Sequence, residues 1–104
     1  MENKQAILYQ IKKSVKEIEP NSEVILFGSR ARGDERLDSD WDVLILVPYA
    51  ANLKEEQRFR HKLFDVELEY GQAISTLVKS KKEWETKYSV TPLFQNILQD
   101  GIRL

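Results

Sequence analysis

Near its start the chain repeats apolar residues at the spacing of one helix face, with Ile7, Leu8, Ile11, Val15 and Ile18 in step until Pro20 and Asn21 break the pattern. The period then changes. Glu23 to Phe27 is a short apolar run closed by Gly28, which predicts a strand. Trp41 to Val47 is apolar almost without interruption and is closed by Pro48, as for a central strand buried on both faces. Residues 30–38, charged and polar around Gly33, predict a short helix or a loop. Over residues 53–70 the helical period returns, with Phe59, Leu63, Val66 and Tyr70 on one stripe, Leu53, Phe64 and Leu68 expected to widen it, and Gly71 to end it. Residues 73–78 predict a third strand and residues 80–84 a short polar helix. Thr91-Pro92 reads as the cap and first turn of a last helix that runs to about Gln99 and stops at Gly101.

With 104 residues, 41% hydrophobic and 32% charged, the pattern describes one small folded domain, residues 1–104, rather than a disordered tail. The formal charge of −1 supplies no basic field for nucleic acid, so a polynucleotide contact would need a local patch; Lys79-Ser80-Lys81-Lys82 reads first as a solvated strand exit. No cysteine is present and only one histidine, which excludes disulfides, thiolate metal sites and a multi-histidine zinc site. No apolar stretch approaches the ~20 residues a membrane span requires. The polar opening Met1-Glu2-Asn3-Lys4-Gln5 does not look like a signal peptide, so a cytoplasmic protein is expected.

The candidate chemistry lies between the first two strands. Asp40 and Asp42 open the second strand two residues apart, so they share a face while Trp41 points to the other side. Upstream, Gly28-Ser29 forms a turn after the first strand, with Arg30 and Arg32 behind it. Two hard oxygen ligands beside a turn rich in backbone N–H groups and arginine suit a magnesium–triphosphate. Glycine lets a phosphate approach the main chain, Ser29 adds a hydroxyl, and Arg30 or Arg32 is a candidate to neutralise phosphate charge.

A shared ligand also constrains topology. Ten residues separate Ser29 from Asp40, so the end of the first strand must lie beside the start of the second, which makes the pair antiparallel. The second strand crosses to the third through an 18-residue helix, the usual route to a parallel neighbour. An α/β (α+β) domain is expected: a small mixed sheet, an antiparallel pair plus a parallel neighbour, with helices packed on it. The start of the third strand should lie near Asp40 and Asp42.

The phrase Leu26-Phe27-Gly28-Ser29-Arg30-Ala31-Arg32-Gly33, followed by Ser39-Asp40-Trp41-Asp42, resembles the minimal nucleotidyltransferase branch of the DNA polymerase beta superfamily. The resemblance is strong over residues 22–47 and extends in layout to the whole chain. It implies the nucleotidyltransferase fold and magnesium-dependent transfer of a nucleoside monophosphate from a nucleoside triphosphate, AMP from ATP, to an acceptor hydroxyl. Asp40 and Asp42 would be the catalytic metal ligands, with Gly28, Ser29, Arg30, Arg32 and Ser39 about the nucleotide. Such domains often act as the antitoxin beside a HEPN-domain partner protein, some by adenylylating the toxin.

The chain also departs from that family. A third carboxylate normally comes from the strand after the long helix, yet here the matching position falls on Ser75, and no Asp or Glu occurs between Gly71 and Lys82. Glu67 or Glu69 is a candidate replacement, although a place on the solvent side of the helix explains either more simply. Two functions therefore stand side by side: an adenylyl-transferring enzyme, and a degenerate module that binds and neutralises or scaffolds a partner. Trp41 reads as a packing residue and His61 as a solvated one. Phe94, Ile97 and Leu98 either close the core or form a partner surface, which leaves a homo- or hetero-oligomer open.

Overall fold

The computed structural model describes residues 4–104; residues 1–3, the start of the polar opening read above against a signal peptide, lie outside the described residues. The long apolar run becomes β2 (Trp41–Val47), second in a four-stranded sheet of order β3-β2-β1-β4. β1 (Glu23–Phe27) pairs with it antiparallel, with Phe27 opposite Asp42. β3 (Ile74–Ser80) pairs parallel on the other side, with Asp42 opposite Ser75. The crossover is α3 (Leu53–Tyr70), capped by the Asn52 side chain and ended by Gly71 in the left-handed conformation. The mixed sheet and both strand orientations are as expected.

Alternation along β2 divides the core. Trp41, Val43, Ile45 and Val47 join Val24, Leu26 and Val78 on one face, under Ile7, Ile11 and Val15 of α1 (Lys4–Ile18) and Phe59, Leu63 and Val66 of α3. On the other face Ile25, Leu44 and Leu46 meet Trp84 of α4 (Lys81–Glu85) and Ile97 of α5 (Pro92–Asp100). Among the described residues no helix is long and apolar enough to cross a membrane.

Three local expectations need correction, and one open alternative divides between its residues. Leu53, Phe64 and Leu68 do not widen the buried stripe of α3; they are 66%, 51% and 66% exposed, while Phe59, Leu63 and Val66 are buried and Tyr70 packs at the edge of the core. β3 begins one residue later than expected and continues through Lys79 and Ser80, since Lys79 lies in the ladder opposite Leu46 and its ammonium rests over the Tyr88 ring. Phe94 and Ile97 do close the core, whereas Leu98 stands 72% exposed. Finally, a fourth strand, β4 (Ile102–Arg103), pairs with β1 where none was expected. Gly101 makes that possible: a Cβ there would come within 2.5 Å of the Ile97 carbonyl oxygen and 2.9 Å of Ile25, so only glycine lets the chain turn back against the sheet.

Candidate active site

Gly28 follows β1 directly and takes φ 76 and ψ −159, a region open essentially to glycine alone. Its carbonyl accepts from the Ala31 and Arg32 amides, both at 3.1 Å, and so winds the short helix α2 (Ser29–Arg32). The side chain of Asp42, the ladder partner of Phe27, lies beside Gly28. A Cβ on Gly28 would stand 2.2 Å from Asp42 Oδ2, so the carboxylate occupies the space that a side chain would otherwise fill. The sequence expectation that the acidic pair reaches the glycine turn is met at Asp42.

Asp42 is half-buried and Asp40 exposed. Burial, and then the negative charge of Asp40, push the Asp42 carboxyl above its ordinary value, while Arg32 pulls it down. A half-buried carboxylate set against a glycine cradle, with a second negative charge close enough to oppose its ionisation, forms a donor set that a divalent cation relieves. No group of three or more metal-ligating side chains occurs among the described residues. Two carboxylates fit magnesium, which commonly takes one or two from the protein and fills its octahedron with water and substrate phosphates.

The remaining predicted residues separate. Ser29 is half-buried at the start of α2, its carbonyl accepting from the Gly33 and Asp34 amides. Arg32 is exposed, paired with Asp34 at 3.3 Å, and close enough for its charge to act on Asp42. Arg30 goes elsewhere. Its side chain is buried, its guanidinium lies 4.2 Å from the Trp41 ring centroid, and it donates to the carbonyls of Ser39 at 3.0 Å and Leu37 at 3.4 Å. Where the sequence offered Arg30 to a phosphate, the fold draws it under the loop that delivers Asp40, since a planar guanidinium can stack on indole and donate to two carbonyls at once. Ser39 belongs to the same loop: its hydroxyl accepts from the Arg36 amide at 2.8 Å, closing the turn ahead of Asp40.

A family model described as the nucleotidyltransferase domain matches residues 8–102. The chain belongs to that family. A Methanocaldococcus jannaschii protein named as a protein adenylyltransferase is 40% identical over 77 residues, which cover 72% of this chain and 78% of that one. Among solved structures, a toxin–antitoxin complex with AMP-PNP superposes with TM-score 0.68 at 19% identity, over 91% of this chain and 69% of that one. A structure named as a minimal nucleotidyltransferase gives TM-score 0.60 at 22% identity, over 96% and 94% of the two chains. These two structural likenesses concern the fold.

In this nucleotidyltransferase Ser75, the residue expected at the third acidic position, is exposed and lies opposite Asp42 on the same sheet face. Glu67 is engaged otherwise: its Oε2 accepts from the Ile74 amide at 2.8 Å and pins the entrance of β3. Glu69 is exposed, as is His61, and Trp41 is fully buried with its indole N–H donating to Gln72 Oε1 at 2.5 Å. One feature of the site escaped the sequence reading. A cleft of about 220 Å³ opens beside Gly28 and Arg32, walled by Phe27 and by Leu93, Asn96, Ile97 and Asp100 of α5. Their helical spacing was legible as one face; that this face meets the glycine turn depends on long-range packing.

Proposed function

We propose that this chain transfers AMP from ATP to a hydroxyl on a partner protein, in a magnesium-dependent reaction of the toxin–antitoxin kind. The observation that carries the reading is the Asp42 carboxylate lodged against Gly28 with Asp40 beside it. The relative named as an adenylyltransferase and the fold neighbour solved with AMP-PNP support the choice of nucleotide. The acceptor oxygen attacks the α-phosphorus, the bond to the β-phosphate oxygen breaks, pyrophosphate departs, and the acceptor proton passes to solvent. Asp40 and Asp42 would hold magnesium, which when bound would supply charge stabilisation for the leaving pyrophosphate. Gly28 allows the phosphates to approach the main chain, Ser29 offers its hydroxyl and Arg32 its charge, while Arg30 and Ser39 hold the loop that carries Asp40. The HEPN-type partner suggested by the motif would provide the acceptor.

Labelled ATP incubated with the purified chain and the product of its neighbouring gene provides the test. Transfer to the partner is expected, together with a loss of at least about 10²-fold in Asp42→Ala, the scale of removing one electrostatic stabiliser; label transfer that survives this substitution overturns the assigned roles.

Ser75 favours a second reading, in which nucleotide binds and the chain neutralises its partner without turnover. Ser75→Asp separates the two. It places a carboxylate opposite Asp42, and a general base is worth ~10²–10⁴-fold in rate where one is missing. Transfer that appears only in Ser75→Asp favours the non-catalytic module; measurable wild-type transfer rejects it.

A further inference from the structure

We propose that the cleft between the glycine turn and α5 seats the adenine ring of the nucleotide, with Asn96 and Asp100 reading its amino edge; this rests on the adenylyl-transfer reading above. The cleft lies on the sheet face that carries Asp42, because Phe27 is the ladder partner of Asp42 and Ile97 packs on that same face. It therefore adjoins the place assigned to the phosphates.

Its volume of about 220 Å³ falls below the ~300–1,000 Å³ of a site that encloses a whole drug-sized ligand, and suits one ring system continuing out of a larger open site. The walls are of two kinds. Phe27, Leu93 and Ile97 supply apolar surface for a flat ring, while Asn96 and Asp100 are one helical turn apart and add polar groups. Neither polar side chain is engaged by a hydrogen bond or ion pair among the described residues.

The charge of the cleft selects against phosphate. Asp100 is the last residue of α5, where an ionised carboxylate adds to the negative end of the helix dipole, and Arg32 at the rim is the sole cation in the lining. An anion is disfavoured there and an amino group is favoured. Adenine presents an N6–H donor beside the N7 acceptor, which one asparagine amide matches with its oxygen and its NH₂. The Asp100 carboxylate, an acceptor only, takes the second N6–H. Uracil has no exocyclic amine and offers neither pairing.

Equilibrium binding of ATP, GTP, UTP and inorganic tripolyphosphate to the full chain in magnesium buffer provides the test, repeated on Asn96→Leu and Asp100→Asn. Asn96 is exposed and Asp100 only partly buried, so both variants should keep the fold, which their melting curves check. ATP is expected to bind most tightly. Asn96→Leu should weaken ATP about tenfold, within the range of one lost bidentate base contact, and leave tripolyphosphate unchanged. Asp100→Asn should weaken ATP less and narrow its margin over UTP. An ATP preference retained in both variants, or a wild-type preference for GTP, overturns the base assignment. Tripolyphosphate binding with no base preference overturns the cleft alone, whereas a chain that binds none of the four ligands takes the transfer reading down with it.

Discussion

The two faces of the sheet are built to different standards. Beneath α1 and α3, thirteen buried side chains form one continuous cluster, Trp41, Phe59 and Leu63 among them. On the opposite face five buried residues close a thinner layer, and Asp42, Ser75 and the α5 cleft interrupt it. β2 serves both, its odd positions filling the dense side and its even positions carrying Asp42, Leu44 and Leu46 to the other. A small domain can tolerate a half-buried, charge-opposed carboxylate on one face because the other supplies most of its apolar burial.

The largest effect should come from the dense face. Phe59 is fully buried at the centre of α3, and Phe59→Ala should cost ~3–5 kcal/mol, a large part of the ~5–15 kcal/mol that a domain of this kind holds in reserve. Phe64, five positions on and half exposed, should cost no more than ~0.5 kcal/mol when truncated to alanine. Urea unfolding of the two variants measures the contrast; equal losses would mean that α3 is seated on the sheet in another rotation.

The same contrast explains what could be read in advance. β2 and α3 were legible to the residue, because an unbroken apolar run ending at Pro48 and an Asn52-to-Gly71 helix carry their limits in local chemistry. The acidic pair and the glycine turn were legible because ladder geometry fixes which residues share a face. Exposure of Phe64 and Leu68 was not, since an apolar residue beside a buried stripe looks the same whether or not a neighbour covers it. β4 was invisible for a related reason: two residues have no period, and Ile102–Arg103 becomes a strand only because Gly101 lets it reach Ile25 and Leu26. Arg30 misled because its chemistry serves a phosphate as well as it serves Trp41 and two carbonyls; only the fold decides between them.

The next effect sharpens the comparison at the boundary between support and chemistry. Gly28→Ala would force a Cβ into the space of Asp42 Oδ2 at a positive φ, a backbone strain worth ~1–3 kcal/mol. The carboxylate must move to make room, and a displacement of ~1 Å in a catalytic group can cost ~10²-fold in rate. Gly33→Ala is the control. Gly33 also has positive φ, yet nothing lies within 4 Å of its Cβ position, so only stability should fall, by ~1 kcal/mol. Melting temperatures and transfer rates measured on both variants test this; a Gly28→Ala chain with undiminished transfer would separate Asp42 from the chemistry.

The smallest effect concerns the cost of the site itself. Because burial and the Asp40 charge raise the Asp42 carboxyl above its ordinary 3.8, the native chain holds that proton more tightly than the unfolded chain does. Stability from this group is thus complete below the unfolded value and is lost as pH rises through the raised native one. At pH 7 the ionised Asp42 is a burden that Asp42→Asn removes, so without magnesium the variant should melt higher than the wild type, a gain that disappears below pH 3.8. Adding magnesium should reverse the order, since the wild type alone gains from a cation that binds only the folded state. A variant that melts below the wild type at pH 7 in the absence of magnesium would make Asp42 a structural residue, and the thin face of the sheet would then be supporting the fold rather than spending its stability on chemistry.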